Sequence, residues 1–111
     1  MKLPNGHLAD LGNKLENYCL NFNHNKGKHK SILFQNKLGI TLENADILKN
    51  AIKQAAITED VIIRKVNEYG RHYNQKFFLK TEIGTSLILV VWIIRTGENF
   101  PRLTNCYPVN K

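Results

Sequence analysis

A period of three to four in the apolar residues up to about residue 56, followed by β-branched and alternating runs, predicts an α+β domain. Short connections between the later runs favour antiparallel neighbours. Together these observations predict N-terminal helices packed on one face of a four-stranded antiparallel meander. A length of 111 residues with 42% hydrophobic content suits a single core. The chain reads as a leader and start of the first helix over residues 1–14, and one α+β domain over residues 8–111.

Leu8, Leu11, Leu15 and Tyr18 or Cys19 keep the spacing of an amphipathic helix, with Lys14, Glu16 and Asn17 outside. They predict a first helix over 8–21. The turn-rich stretch from Asn21 to Lys30 follows and carries the densest positive charge in the chain. From Ser31 to Gly39 a short helix is expected, stopped by glycine at its C-cap. Thr41 can cap a third helix over 42–56, in which Leu42, Ala45, Leu48, Ile52 and Ala55 form the apolar stripe. Val61 to Val66 is β-branched, and Tyr69-Gly70 punctuates it. Strands are expected from Arg71 to Lys80 and from Ser86 to Arg95, joined through Thr81 to Thr85. The last hairpin turns through Thr96 to Pro101 into a terminal strand ending near Val109. Three helices on one face leave the other sheet face open.

Sixteen Lys and Arg against nine Asp and Glu give a net charge of +7, so the surface should attract polyanions, nucleic acid first among them. A basic solvated surface is the plain alternative. Residues 1–6 are not followed by an apolar stretch and a small-residue cleavage site, and the apolar run from Leu87 to Ile94 is too short to span a bilayer. A soluble protein or an excised domain is expected. Cys19 and Cys106 fit no metal spacing and read as buried free thiols or one disulfide.

The sequence has no glycine-rich phosphate loop, no His-Glu-x-x-His, no Gly-x-Ser-x-Gly and no paired Cys-x-x-Cys. Neither a metal nor a cofactor is expected. The residues present suit RNA cleavage in which the 2′-hydroxyl attacks the adjacent phosphate while side chains supply a base, an acid and positive charge. His29, flanked by Lys28 and Lys30, is the first candidate for proton transfer, with a solvated loop histidine as the alternative. His24 reads more simply as a loop residue and His7 as inert. His72, beside Arg71, is a candidate for RNA contact, as are Lys26, Lys28, Lys76 and Arg95. Trp92 is either core or a base-stacking platform.

Proline at 101 and 108 limits the last strand, which carries Arg102, Thr104 and Tyr107. Regular alternation puts Arg102, Thr104 and Cys106 on one face and Leu103, Asn105 and Tyr107 on the other. Arg102 and Thr104 are the expected phosphate-binding pair, and Tyr107 needs an irregularity to join them. The reading takes His29, Lys30, Arg102, Thr104 and Tyr107 as the catalytic set.

Gly27-Lys28-His29-Lys30, Leu38-Gly39-Ile40-Thr41, Tyr69-Gly70 followed by Tyr73, Trp92-Ile93-Ile94, Gly97 through Leu103 and Cys106-Tyr107 together resemble, from about residue 15 to 109, a small bacterial domain family of unknown function. Leu3 through Lys14 is similar to the entry to C-terminal toxin domains of contact-dependent inhibition and other polymorphic toxins. Met1 would then be a start codon added to an excised domain. The element order is also similar to the barnase/EndoU/colicin/RelE ribonuclease fold. Many toxins of that fold cleave tRNA and end in a strand with Thr and Tyr-Pro, matched here by Thr104 and Tyr107-Pro108. Their catalytic residues vary widely.

The resemblance implies a tRNA-cleaving endoribonuclease toxin, delivered in a larger secreted or surface protein and acting in the cytoplasm of a target bacterium. An acidic cognate immunity protein is the implied partner, and a host translation factor is a further one that the resemblance allows. A non-catalytic basic RNA-binding module accounts for the charge equally well. An immunity or antitoxin protein fits less well, because a protein that masks a basic toxin should itself be acidic.

Overall fold

The computed structural model describes residues 1–109, and its helices precede a four-stranded antiparallel sheet of order β1-β2-β3-β4. Two α-helices are formed, α1 (Lys28–Leu38) and α2 (Ala45–Thr58). The strands are β1 (Val61–Asn67), β2 (Gly70–Lys80), β3 (Thr85–Arg95) and β4 (Arg102–Val109).

Strand alternation decides which side chains meet the helices. Tyr73, Gln75 and Phe77 of β2 stand opposite Trp92, Val90 and Ile88 of β3, which in turn stand opposite Leu103, Cys106 and Pro108 of β4. That face closes over Phe34 and Leu38 of α1 and over Leu48, Ile52 and Ala55 of α2. The other face has no helix on it and carries His72, Asn74 and Lys76 in alternate positions of β2.

Trp92 is fully buried and donates through Nε1 to Gln75 Oε1 at 3.0 Å. It is a core residue, which removes it from the RNA-binding set. Gln75, itself buried, donates in turn to the carbonyls of Ala55 at 2.9 Å and Glu59 at 3.0 Å. A buried indole N–H and the carbonyls at the end of α2 thus satisfy one another through one amide.

Each helix is stopped and started by local chemistry. Gly39 takes the left-handed conformation at φ 68°, and the N–H groups of Gly39 and Ile40 return to the carbonyls of Gln35 and Phe34. This is the glycine stop expected at that position. Thr41 accepts from the Glu43 N–H while Asn44 Oδ1 accepts from the Thr41 N–H, a reciprocal cap ahead of α2. Leu42 to Asn44 forms a 3-10 turn and Leu42 is exposed, so the buried stripe begins at Ala45 and the helix extends to Thr58.

The long first helix over 8–21 does not form. Residues 6–8 make a 3-10 turn and Leu15–Cys19 a single π-helical turn. Between them Asp10 pairs with the edge of β4: its N–H donates to Pro101 O and its carbonyl accepts from Leu103 N, both at 2.9 Å. Its carboxylate accepts from the Gly12 N–H, and Gly12 sits at φ 53°. The main chain is therefore committed to the sheet edge and a turn, and helical spacing of Leu11 and Leu15 serves only to bury both. The expected three helices are two, and α1 begins three residues earlier than Ser31.

The leader is part of the domain. Met1 O accepts from Val61 N at 2.7 Å, and Leu3 joins the core. Cys19 and Cys106 are both buried and free, so the disulfide alternative does not apply. Burial pushes the Cys19 thiol up to about 11, and burial followed by the neighbouring Cys19 pushes Cys106 up as well. No helix among the described residues is long and apolar enough to cross a membrane.

Candidate functional site

The open sheet face carries a groove of about 390 Å³, and two β-bulges build it. On β1 the pairing jumps from Ile63 opposite Tyr73 to Lys65 opposite His72, leaving Arg64 as the extra residue. On β4 it jumps from Asn105 opposite Val91 to Leu103 opposite Trp92, leaving Thr104 as the extra residue. Both extra residues line the groove. A bulge re-aims a side chain that regular pleating would send elsewhere.

The bulge at Thr104 corrects the expected alternation. Leu103 and Cys106 both face the core, so Leu103 does not share a face with Asn105 and Tyr107. Thr104, Asn105 and Tyr107 instead line one groove with His72 and Asn74. The irregularity that Tyr107 needed is present. Thr104 Oγ1 donates to Val91 O at 3.1 Å, which ties the hydroxyl to the bulge it occupies.

His72 is the histidine of this groove. Asn67 Oδ1 accepts from the Tyr69 N–H at 3.0 Å and lies 3.2 Å from His72 Nε2. An oxygen already fixed as an acceptor requires His72 Nε2 to donate, so Nδ1 is left able to take a proton. Burial, then Lys65 and Arg64, hold the imidazole below its ordinary value, and the neutral ring prevails at neutral pH. Two residues further along β2, the buried Asn74 Oδ1 has no hydrogen-bond partner among the described residues. A buried acceptor without a partner costs about 1–3 kcal/mol. No carboxylate lines this groove, and its charge comes from Arg64 and Lys65.

A second cleft, of about 520 Å³, lies where residues 10–18, the 24–26 loop and the ends of β3 and β4 meet. Lys14, Lys26, Arg95 and Arg102 line it, with Tyr18 and His24. His24 Nδ1 accepts from the N–H groups of Lys26 and Gly27, both at 3.0 Å, and so organises the turn that leads into α1. Arg102 is held by two hydrogen bonds to the Glu98 carboxylate, at 2.9 and 2.8 Å, and by Asp10 at 3.6 Å. Its guanidinium is thereby committed to tying β4 to the preceding turn and to the leader.

Lys30 joins the two regions. Its Nζ donates to the Tyr18 hydroxyl, lies 4.3 Å from the centre of the Tyr18 ring and 5.3 Å from that of Tyr107. Of the expected catalytic set, Lys30, Thr104 and Tyr107 converge on the groove or its rim. Arg102 belongs to the cleft, and His29 is exposed on the first turn of α1, lining neither.

Among the expected RNA contacts, Lys26 and Arg95 line the cleft, and Lys76 is exposed on the open face beside Leu89 of the groove. Lys28 is exposed beside His29. Arg71 pairs with Ile94, on the helix side of the sheet, away from the groove. The sequence alone gives Asn74, Asn105, Arg64 and Lys65 no functional role. The alternation of β2, with Tyr73 and Phe77 apolar, carried enough signal to place His72 and Asn74 on the open face; nothing local marked the bulges.

Among the described residues no cluster of three or more His, Cys, Asp or Glu side chains is arranged to hold a metal ion. The chain matches the domain of unknown function DUF6883 over residues 2–110, and it belongs to that family. No curated protein and no solved structure matches it.

Proposed function

We propose that this domain is an endoribonuclease that cleaves RNA, tRNA in particular, by attack of a 2′-hydroxyl on the adjacent phosphate. The observation that carries the reading is His72, kept neutral with Nδ1 open, in a cationic groove that also holds Thr104 and Tyr107. His72 Nδ1 takes the proton of the 2′-hydroxyl as its oxygen bonds to phosphorus. The 5′-oxygen leaves as the P–O bond breaks and collects a proton from the Tyr107 phenol. Arg64 and Lys65 offset the charge that builds on the phosphate oxygens. The products are a 2′,3′-cyclic phosphate and a 5′-hydroxyl, and every group used is a side chain of this domain.

The same reading makes the domain a bacterial toxin, carried into a target cell within a larger protein and neutralised by an acidic partner that covers the basic surface. The net charge of +7 supports such a partner through electrostatic complementarity. Incubating the purified domain with total tRNA in EDTA tests the activity. Fragments ending in cyclic phosphate are expected. Intact tRNA at high protein concentration, with salt-dependent binding retained, leaves a non-catalytic RNA-binding module in its place.

A further inference from the structure

We infer that the cleft beside Arg102 binds a backbone phosphate of the same nucleic-acid strand, at least one nucleotide away from the phosphate in the groove. The inference rests on the nucleic-acid part of the reading above and not on cleavage.

The charge in this cleft is not internally satisfied. Lys14, Lys26 and Arg95 are exposed there, and none has a carboxylate within ion-pair distance among the described residues. The one carboxylate on the wall, Asp10, already accepts from Gly12 N–H at 2.8 Å and pairs with Arg102. Arg102 is in turn occupied by Glu98 at 2.8 Å. Arg95 acts on Glu98 only from beyond ion-pair distance, so three cations without an ion pair surround a concave space of about 520 Å³. His24 adds a donor: two main-chain N–H groups donate to its Nδ1, so Nε2 carries a ring hydrogen.

A phosphodiester fits this donor set better than a base does. The Tyr18 ring is the aromatic surface on the cleft wall, yet Lys30 Nζ covers it at 4.3 Å, Lys14 Nζ stands 6.0 Å from it, and the His24 ring meets it edge-on at 4.8 Å. With cations and an imidazole already on the ring, stacking of a base there is disfavoured, whereas negative charge beside Lys14, Lys26 and Arg95 is favoured. Lys30 also reaches Tyr107 of the groove, so one cation lies between the two sites.

The test uses an uncleavable 2′-deoxy hexanucleotide, a 2′-deoxy dinucleotide and inorganic phosphate as probes of the full chain. The variant pair Lys26→Gln with Arg95→Gln is compared with Lys37→Gln with Lys53→Gln, an equal charge loss on the helices. The wild type should bind the hexanucleotide more tightly than the dinucleotide or free phosphate. The cleft pair should lose about tenfold in hexanucleotide affinity and about 1 in the salt slope while dinucleotide binding stays unchanged. The helix pair should change little. Equal losses in both pairs, or equal wild-type affinity for all three probes, would overturn the inference. Because no probe can be cleaved, absence of ribonuclease activity would leave this result standing on its own.

Discussion

The Lys30 ammonium lies 5.3 Å from the centre of the Tyr107 ring, so the first turn of α1 reaches the last strand across the edge of the sheet. A cation at that distance stabilises by about 0.5–1 kcal/mol at an exposed site. It also places positive charge beside the phenol proposed as the acid. Lys30→Met keeps the length of the stem and removes the charge. Cleavage should fall by about tenfold or more, with a stability loss of about 1 kcal/mol or less in urea denaturation. Unchanged cleavage would exclude Tyr107 as the acid helped by this lysine.

The proposed reaction assigns the acid limb of its pH profile to His72. Its folded-state value lies below 6.5, through burial first and Lys65 and Arg64 second, and the base form is the neutral ring. The cleavage rate should therefore rise with pH through a midpoint below 6.5. Stability has the same sign: the contribution of neutral His72 is present above 6.5 and is lost as pH falls through the lower folded value. Its exposure keeps that contribution small. Lys65→Gln with Arg64→Gln should move the midpoint up, read by NMR titration of the ring, without removing the effect of burial.

Arg102 divides structure from chemistry. Its hydrogen bonds hold the Glu98 carboxyl below its ordinary 4.5, so this contribution is present above 4.5 and disappears as pH falls through the lower folded value. Arg102→Met should lower the thermal midpoint at pH 7, and the gap from wild type should close under acid conditions. Cleavage of a dinucleotide should stay near that of the wild type. A large loss of dinucleotide cleavage in a folded Arg102→Met protein would return the guanidinium to the catalytic set.

Gln75 is the polar joint of the core. Gln75→Leu leaves Trp92 Nε1–H and the Glu59 carbonyl without the amide, while Ala55 O still accepts from Glu59 N. The expected cost is about 2–4 kcal/mol in urea denaturation. Because Gln75 points away from the open face, activity of the folded fraction should persist.

The order of helices and strands was legible because the period of the apolar residues changes near residue 60, and Gly39 and Thr41 announce their roles by residue type alone. The first helix was misread because Leu11 and Leu15 keep helical spacing while Asp10 spends its backbone on β4. Charge density singled out His29; the groove selects His72, whose partners arrive from β1, β3 and β4. Arg64 and Thr104 reach that groove only through bulges, which depend on the register between strands and leave no trace in local composition.

The most direct test of the open-face site is a side-by-side measurement of RNA cleavage by His72→Ala and His29→Ala, with folding of both checked by thermal unfolding. The groove reading expects His72→Ala to lose about 10²- to 10⁴-fold in kcat/KM, the range for a proton-transfer group, and His29→Ala to remain close to wild type. Full activity in His72→Ala, with activity lost in His29→Ala, would contradict it and move the chemistry to the first turn of α1.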